Sequence, residues 1–430
     1  MISSKNRFSV IFFMASVYIA GAYAQPMQEL LNRCATSDRD SIKFQQNPAL
    51  LQNRQEGEKL ISSYLDMSSR ASLRTGAISE VIIPVVVHVV HQSTNINATS
   101  RAEETNISEA QIQSQIDILN EDYGNRSGIT TFYSGTHGVD TKIRFKLVNI
   151  VRIYSAVKEF DPISDAAKLA AIAPPRSTER FLNIWVCKLS GNYLGSAQFP
   201  VVTKITQGTL GLEQPSAEDS PDTDGVMIDY RYFGRNARPI TSALYNLGRT
   251  TTHEVGHWLG LIHIWGDSVC GDDYCDDTPA ASGSNQVTDL NCLPVYSTCS
   301  GIRTRNMTDN YMDYSPDVCM GLFTNDQTER IHAVLNLSPR RARLVANSRR
   351  SENRLTVDIL SSPISDLLRT DIYSPDYADY TMDIFNSSGT LIKKNIKNQS
   401  NIDMSNVAAG IYILRVQTEV ETVTKRFLIL

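Results

Sequence analysis

The amino-acid sequence predicts an α+β (α/β) domain with a twisted mixed sheet, a backing helix and a helix that carries a histidine motif, followed by an irregular subdomain and an all-β sandwich. Three patterns support this prediction. A β-branched run begins the first domain at residues 81–91, strand and helix patterns follow to residue 261, and short alternating strands fill residues 355–430. At 430 residues, the chain is too long for one ordinary core.

The composition is that of a globular protein and limits the classes of partner. Hydrophobic residues make up 41% and charged residues 20% of the chain, and the net charge is -5. Such a charge favours neither a nucleic-acid partner nor a membrane-surface partner. After the N-terminus, no segment is apolar for long enough to cross a bilayer, so we expect no membrane span in the mature protein.

Residues 1–24 predict a secretory signal peptide. A positively charged start precedes an apolar run at about residues 8–20, and a small-x-small site follows at residues 22–24. A membrane anchor is the alternative, but the apolar run is too short to span a bilayer comfortably. We therefore expect cleavage before Gln25 and export, across the outer membrane as well, to the cell surface or the medium.

Residues 25–74 are polar and compatible with helix, and they show no strand pattern. The next domain, residues 75–340, begins with the predicted strand at 81–91. Ser108 and Gln111 form a capping box that predicts an amphipathic helix over residues 109–122. Further elements are four strands and a long helix, predicted at 142–148, 181–189, 194–200, 224–230 and about 242–261.

After residue 261 the regular pattern nearly disappears for some sixty residues rich in Asp, Gly, Ser and Cys. A second helix is predicted at about 325–338, and the basic, polar residues 341–354 predict a linker. Residues 355–430 alternate as short strands separated by turns, which predicts a small β-sandwich. That unit contains no His or Cys, so we expect no metal chemistry in it.

The motif HEVGHWLGLIH at residues 253–263 holds three of the chain's seven histidines. In an α-helix, residues four apart differ by about 40° around the axis and about 6 Å along it, so His253 and His257 project from one face. In a continued helix His263 would lie about 15 Å along from His253. Gly260 can adopt a positive φ, end the helix and return His263 to the same ion.

Three neutral imidazoles leave the fourth position of a tetrahedral zinc open, which is the pattern of a catalytic site. Glu254 follows the first ligand and can accept a proton from water that zinc has acidified towards a pKa of about 7. The five-residue HExxH pattern alone also arises by chance on helices, whereas the extended pattern is specific. We therefore predict His253, His257 and His263 as zinc ligands and Glu254 as the base.

This motif resembles that of the metzincin zinc endopeptidases, and NYMDYSPDVCMGLFT at residues 310–324 resembles the Met-turn of that clan. With LNIWVCKL, LGSAQFP, TDGVMIDY and DDTP, the sequence is similar to the pappalysin family, in the branch of microbial enzymes that cleave before basic residues. The resemblance covers about residues 81–338. It implies a metzincin catalytic domain at 75–340 that hydrolyses protein or peptide substrates.

The resemblance implies roles for further residues. Met312 would form an apolar floor beneath the metal, and Tyr314 would stabilise the oxyanion. Asp317 would lie at the base of the S1′ pocket and pair with an Arg or Lys side chain just after the scissile bond. An extended substrate would lie along an edge strand that contains Gly195, Ser196 and Ala197.

The resemblance also implies two disulfides, Cys270–Cys299 and Cys292–Cys319, that tie down the irregular loops. An acidic loop would bind structural calcium, since oxygen-rich loops suit a hard cation; its residues are Asp272, Asp273, Asp276, Asp277 and Thr278. A solvated acidic turn is the alternative for this loop. Cys275 departs from the family pattern, which usually has an apolar residue there, and a bond between Cys187 and Cys275 stays open.

Cys34 lies in NRCAT and resembles the cysteine switch of latent metzincins, in which a thiolate becomes the fourth zinc ligand. We therefore predict a zymogen with residues 25–74 as the pro-segment, opened by cleavage after Arg70 or Arg74. An unpaired leftover cysteine is the alternative. Residues 355–430 resemble the sorting domains of the type IX secretion system, which implies a secretion-machinery partner, with an accessory binding sandwich as the alternative.

The sequence thus predicts a secreted zinc metalloendopeptidase, made as a zymogen, that cleaves on the N-terminal side of Arg or Lys. Its expected cofactors are catalytic zinc and structural calcium. Two alternatives stay open at this point: a metzincin of another specificity, and a non-catalytic surface adhesin that retains the fold.

Overall fold

The structure is a computed structural model. It describes residues 31–72, 79–92, 105–202, 220–235, 242–286, 290–348, 354–360, 362–375, 378–399 and 401–430. The predicted signal peptide and Arg74 lie outside the described residues. In the described part of the chain, no helix combines the length and the apolar character that crossing a bilayer requires.

The N-terminal segment, residues 31–72, contains one strand and two helices: β1 (Asn32–Cys34), α1 (Thr36–Gln46) and α2 (Pro48–Ser72). The strand was not predicted from the sequence. Three residues are too few for an alternating pattern, and β1 exists because it pairs with a strand of the next domain. The helices agree with the polar, helix-compatible composition.

A six-stranded mixed sheet forms the centre of the domain that follows, in the order β1-β5-β6-β4-β2-β3. Its other strands are β2 (Val81–His91), β3 (Ile143–Tyr154), β4 (Leu182–Cys187), β5 (Tyr193–Ala197) and β6 (Val226–Asp229). β2 is parallel to β3 and β4, β4 is parallel to β6, and β5 is antiparallel to β6. The predicted mixed sheet is confirmed, and β1 adds to its edge by pairing in parallel with β5.

Four helices accompany this sheet: α3 (Glu109–Tyr123), α4 (Ser134–His137), α5 (Ala166–Ile172) and α6 (Arg249–Trp258). The Ser108 side chain accepts the backbone N–H of Gln111, so one half of the predicted capping box is present. The Gln111 amide instead donates to the carbonyl oxygens of Tyr230 and Phe233, because tertiary contacts compete for it. The predicted helix at 242–261 is shorter, since Gly248 has a φ of 78° and precedes α6.

The irregular region after α6 contains the short hairpin β7 (Tyr296–Cys299) and β8 (Ile302–Arg305), and two disulfides join its loops. Cys270 bonds Cys299 and Cys292 bonds Cys319, which are the pairs that the family resemblance implied. Two 3-10 turns, Tyr230–Tyr232 and Asp317–Cys319, complete the domain with helices α7 (Asn325–Leu337) and α8 (Pro339–Ser348).

Helix α8 corrects the prediction of a linker at 341–354 as far as residue 348; residues 349–353 lie outside the described residues. Its basic side chains are paired with carboxylates, Arg340 and Arg341 with Asp224 and Arg343 with Glu179. Arg341 is buried and lies 3.7 Å above the Trp258 ring. Leu344 belongs to the main hydrophobic core. Because their charges are neutralised internally, a polar composition concealed a packed helix that closes the domain.

The C-terminal domain contains two antiparallel sheets with their own hydrophobic core, as predicted for a β-sandwich. One sheet has three strands, β9 (Thr356–Ile359), β10 (Leu367–Tyr373) and β13 (Asn401–Asp403). The other has four, β11 (Thr381–Asn386), β12 (Leu391–Lys397), β14 (Gly410–Gln417) and β15 (Thr422–Ile429). Alternating residues of these strands face the core, which is why the alternation was visible in the sequence.

Candidate active site

Helix α6 lies entirely in the interior and carries His253 and His257 on one face. The helix ends at Trp258, and Gly260 follows with a φ of 92°. A side chain at Gly260 would also collide with Val334, whose Cγ2 lies 2.7 Å from an ideal Cβ position. The chain therefore turns back at this glycine, as the sequence predicts, and brings His263 to the other two histidines.

The three histidine Nε2 atoms lie 3.1 to 3.2 Å from one another. Each Nδ1 faces an acceptor: the carbonyl oxygen of Tyr311 for His253, that of Leu261 for His257, and a carboxylate for His263. Since these acceptors carry no hydrogen, each Nδ1 must be the protonated nitrogen. Three Nε2 lone pairs consequently point at one another, an arrangement that requires a cation between them.

This donor set fits zinc. Ligand atoms at about 2.0–2.1 Å from a tetrahedral zinc are about 3.3 Å apart, close to the separations of the three nitrogens. Burial lowers the pKa of His257 to about 3 and that of His253 well below its ordinary value, so these two imidazoles are neutral, as metal ligands must be. Among the described residues, one group of such ligands converges, and it adds Cys34 to these histidines.

Glu254 lies beside this group with its side chain fully buried. Burial raises the pKa of its carboxyl to about 7, which suits a group that accepts and releases a proton near neutrality. Its Oε1 has no hydrogen-bond partner among the described residues. Gly195 of β5 passes so close that a Cβ there would lie 2.6 Å from the Glu254 Cγ. The strand can therefore approach the carboxyl only with a glycine at this position.

Met312 and Tyr314 both lie next to the histidines. Met312 is completely buried, and its sulfur contacts Gly256 within α6, beneath the helix that carries the first two histidines. The Tyr314 ring centroid lies 5.0 Å from that of His263 and 5.7 Å from that of His253. Burial raises the pKa of the Tyr314 hydroxyl well above its ordinary value, so it is a hydrogen-bond donor at neutral pH.

The N-terminal segment enters this site. Cys34, whose side chain is buried, places its Sγ within 4.8 Å of all three Nε2 atoms and 3.5 Å from the Glu254 Oε2. The Thr36 hydroxyl donates to the same Oε2 at 2.9 Å and accepts the Ala197 backbone N–H at 2.8 Å. One segment thus contacts the metal site, the carboxyl of Glu254 and strand β5 at once.

Arg33 fills a closed pocket beside the histidines. Its guanidinium donates to the Ser315 carbonyl oxygen at 2.6 Å and to the Asp317 carboxylate at 3.2 Å, and it lies 5.0 Å from the centroid of the Tyr245 ring. Both charged side chains are at most 1% exposed. The second Asp317 oxygen accepts backbone N–H groups at the start of α6, from Leu247 and Arg249. Asp317 therefore lies at the base of the pocket that the Arg33 side chain occupies.

The predicted substrate strand is the strand that the N-terminal segment covers. The Ala35 N–H donates to the Gly195 carbonyl oxygen at 2.9 Å. Arg39 donates to the Ser196 hydroxyl at 3.2 Å and also to the Ala197 carbonyl oxygen. Residues 35–39 thus occupy the carbonyl oxygens of Gly195 and Ala197, the Ala197 N–H and the Ser196 hydroxyl.

Comparison with known proteins gives the family. The family model described as pregnancy-associated plasma protein-A matches residues 222–336. The family model described as a secretion system C-terminal sorting domain matches residues 362–430. An extracellular metalloprotease of Pyricularia oryzae is 30% identical over 60% of this chain and 75% of its own length. One of Colletotrichum graminicola is 29% identical over 62% of this chain and 81% of its own. The chain belongs to the pappalysin family of metalloproteases.

Solved structures agree with the assignment of this chain to the pappalysin family. A promirolysin mutant of Tannerella forsythia is 32% identical in sequence. The match covers 73% of this chain and 97% of the promirolysin chain, with a TM-score of 0.58. Mature Tannerella forsythia mirolysin in complex with a cleaved peptide is 34% identical, with coverages of 63% and 98% and a TM-score of 0.52. The pappalysin is thus a secreted zinc metalloendopeptidase with a sorting domain, and not the adhesin considered above.

The acidic loop of the pappalysin does not gather its side chains around one point. Asp272 accepts the Tyr274 N–H, and Asp273 accepts the Thr278 hydroxyl. Asp277 accepts the N–H of Asp326 in α7. Asp276 lies in the same loop. Apart from the group at Cys34 and the three histidines, the described residues contain no cluster of three or more His, Cys, Asp or Glu ligand atoms.

Cys187 and Cys275 do not pair with each other. All seven cysteines lie in the described part of the pappalysin, where these two are buried free thiols. Cys187 belongs to a small core with Trp185 and Phe160, whereas Cys275 lies in the acidic loop. The alternative disulfide is therefore wrong, because β4 and the loop are separate parts of the fold.

Sequence reasoning missed four residues of the site: Arg33, Thr36, Arg39 and Asp267. The first three surround Cys34, so the run RCAT with a further arginine was a signal that a basic residue and a hydroxyl accompany the thiol. Asp267 follows His263 by four positions across a glycine, and its carboxylate is the acceptor for that histidine. Such a partner is visible in a sequence only when the turn between the two residues is known.

Proposed function

We propose that this pappalysin is secreted as a zymogen and cleaves peptide bonds on the N-terminal side of Arg or Lys. One observation carries the proposal: Arg33 fills a buried pocket on Asp317 while its neighbour Cys34 joins the three histidines. The N-terminal segment therefore occupies the position of a substrate with a basic side chain. Residues 25–74 are the proposed pro-segment, and cleavage near Arg70 or Arg74 would release it.

In the proposed reaction His253, His257 and His263 hold the metal. Zinc bound there would polarise the scissile carbonyl group and make water more acidic. Glu254 takes the proton from the attacking water and passes it to the nitrogen of the leaving amine. Tyr314 donates a hydrogen bond to the oxyanion as it forms. The Oε1 of Glu254, which has no hydrogen-bond partner in the part of the chain that the structure describes, supports the role of base, because it is available to a water molecule.

The Glu254→Gln variant of the activated enzyme should lose about 10²–10⁴-fold in kcat/KM, because a neutral amide accepts no proton. Its zinc content should equal that of wild type, since Glu254 is not a proposed ligand. The measurement is cleavage of an Arg-containing peptide together with elemental analysis. Glu329→Gln, at an exposed carboxyl of α7, is the matched control and should behave as wild type. A kcat/KM for Glu254→Gln within threefold of wild type would contradict the assignment.

The contacts of Arg33 support a preference for a basic residue after the scissile bond. A guanidinium carries several N–H donors in one plane, and here they reach a carbonyl oxygen and a carboxylate beside an aromatic ring. A buried carboxylate without its ion-pair partner is costly, so a neutral side chain in this pocket would leave the Asp317 oxygen that now faces Arg33 without a cation. The pocket therefore selects charge as well as size.

Asp317→Asn should reduce the preference for Arg over Met after the scissile bond by about 10–100-fold, because hydrogen bonds to a charged group contribute about 1.5–3 kcal/mol. The measurement is kcat/KM for two peptides that differ only at this residue. The Met peptide is the internal control. Its rate of cleavage would fall if the substitution damaged the start of α6, where Asp317 accepts backbone N–H groups. An unchanged ratio would instead favour a metzincin of another specificity.

Latency is proposed to rest on two separate contacts. Cys34 presents a sulfur to the metal, where a thiolate is a strong zinc ligand. Thr36 holds the Glu254 carboxylate and the N–H of Ala197 with one hydroxyl group. The first contact excludes water from the metal, and the second occupies both the base and the substrate strand.

The full-length Cys34→Ala precursor should cleave peptide faster than the wild-type precursor before any processing is visible on a gel. Thr36→Val should raise the precursor's rate by about tenfold, since it removes a hydrogen bond to a charged group but keeps the side chain's shape. Ser63→Ala, which removes an exposed hydroxyl from α2, is the control and should stay latent. A Cys34→Ala precursor as inactive as wild type would refute the switch.

We also propose that the acidic loop binds calcium through some of its five oxygen-bearing side chains. Burial raises the pKa of Asp273 to about 7, so the neighbouring hydrogen bonds and the Arg330 charge do not fully offset the desolvation of its carboxylate. The Asp277 Oδ1 is buried without a hydrogen-bond partner among the described residues. Both features are those of ligands that a hard cation would satisfy.

Calcium should raise the free energy of unfolding by about 2.7 kcal/mol at a hundred times its Kd, because it binds the folded loop. The shift in Tm between a calcium buffer and a chelator measures this effect. Asp273→Asn and Asp277→Asn should reduce the shift, whereas Asp165→Asn, a surface carboxyl near α5, should not. Equal melting of the wild type with calcium and with chelator would leave the loop as a solvated acidic turn.

A further inference from the structure

His263 differs from the other two histidines in the group that accepts the hydrogen bond from its Nδ1. The Nδ1 atoms of His253 and His257 donate to backbone carbonyl oxygens at 2.8 Å. That of His263 donates to the Oδ1 of Asp267 at 2.5 Å. A carbonyl oxygen is neutral and a carboxylate carries a full charge, so one of the three imidazoles has a much stronger acceptor.

The turn after the motif places this carboxylate. The Gly266 N–H donates to the His263 carbonyl oxygen at 2.8 Å, and the next two φ angles are 61° for Gly266 and 54° for Asp267. A positive φ is unfavourable for most side chains, although aspartate tolerates it better than most. Glycine would adopt the same backbone conformation at no steric cost. The turn alone therefore does not explain an aspartate at this position, whereas the hydrogen bond of its side chain to His263 does.

The ring of His263 is fixed from a second side. The Trp265 ring stacks on it with centroids 4.3 Å apart and planes inclined by 8°. The stacking sets the plane of the imidazole, and the Asp267 hydrogen bond sets its rotation within that plane. Together they aim the Nε2 at the point where the other two Nε2 atoms meet.

A carboxylate on the far side of a ligand histidine has two known consequences. It fixes the tautomer that leaves the Nε2 lone pair available, and it raises the electron density on that nitrogen. Both strengthen the bond to a metal cation. The Asp267 side chain is 39% exposed, so its charge remains solvated while it acts on a buried ring.

We propose that Asp267 is a positioning residue that sets how tightly the three-histidine site holds its metal. The inference rests on the proposed assignment of His253, His257 and His263 as ligands. Asp267 touches neither the substrate nor the reacting atoms, and it acts through His263. A purely structural role in the turn is distinguishable, since glycine would support the turn and leave the zinc affinity unchanged.

The test is the zinc Kd of the full-length chain, measured by competition with a chromogenic chelator. Asp267→Gly accepts the positive φ and removes the carboxylate, and it should raise the Kd about 10–100-fold. Asp267→Asn keeps the shape and removes the charge, and it should give a smaller increase. After processing, peptide cleavage by both variants should recover when zinc is added in excess.

Two further variants separate the outcomes. Asp117→Asn makes the same charge change at an exposed position of α3 and should leave the Kd unchanged. His263→Ala should raise the Kd by more than either Asp267 variant. A Kd within twofold of wild type for both Asp267 variants, with His263→Ala impaired, overturns the role of Asp267 alone. If His263→Ala also leaves the Kd unchanged, the ligand assignment itself fails.

Discussion

The site depends on the hydrogen bonds at the Nδ1 side of its three histidines. An imidazole that donates through Nδ1 must present a lone pair at Nε2, so these bonds decide where the metal ligands point. The acceptors come from three parts of the chain: the Met-turn region at Tyr311, the turn at Leu261 and the loop at Asp267. The histidine motif alone therefore makes no site. The irregular subdomain, joined by its two disulfides, has to be folded before the nitrogens converge.

Close backbone contacts hold helix α6 where these bonds require it. Strand β5 lies against one side of the helix because Gly195 has no side chain, and Met312 lies against another side at Gly256. The end of the helix packs on α7 at Gly260 and Val334. A catalytic group displaced by about 1 Å can cost a hundredfold in rate, so a helix held on three sides suits a site that must be preorganised.

Much of this arrangement was predictable, and the failures have physical causes. His253, His257 and Gly260 follow from helical geometry, and the strands follow from alternation, because both depend on neighbours in the sequence. The linker prediction failed at Arg341, whose charge is neutralised by a carboxylate more than a hundred residues away. Strand β1 and the contacts of Thr36 were missed for the same reason: their partners, in β5 and at Glu254 of α6, are distant in the sequence. Local patterns specify the elements, whereas long-range pairs specify how the site is completed.

Under the proposed function, latency and specificity are two consequences of one buried charge. Asp317 accepts N–H groups at the start of α6 through one oxygen and faces the cleft with the other. Removal of Arg33 would leave that second oxygen without the cation that it now faces. A substrate with a basic side chain supplies the missing cation, and one with a neutral side chain does not. In the proposed zymogen, the charge that holds the N-terminal segment in the cleft is therefore the charge that would select the substrate once the segment has gone.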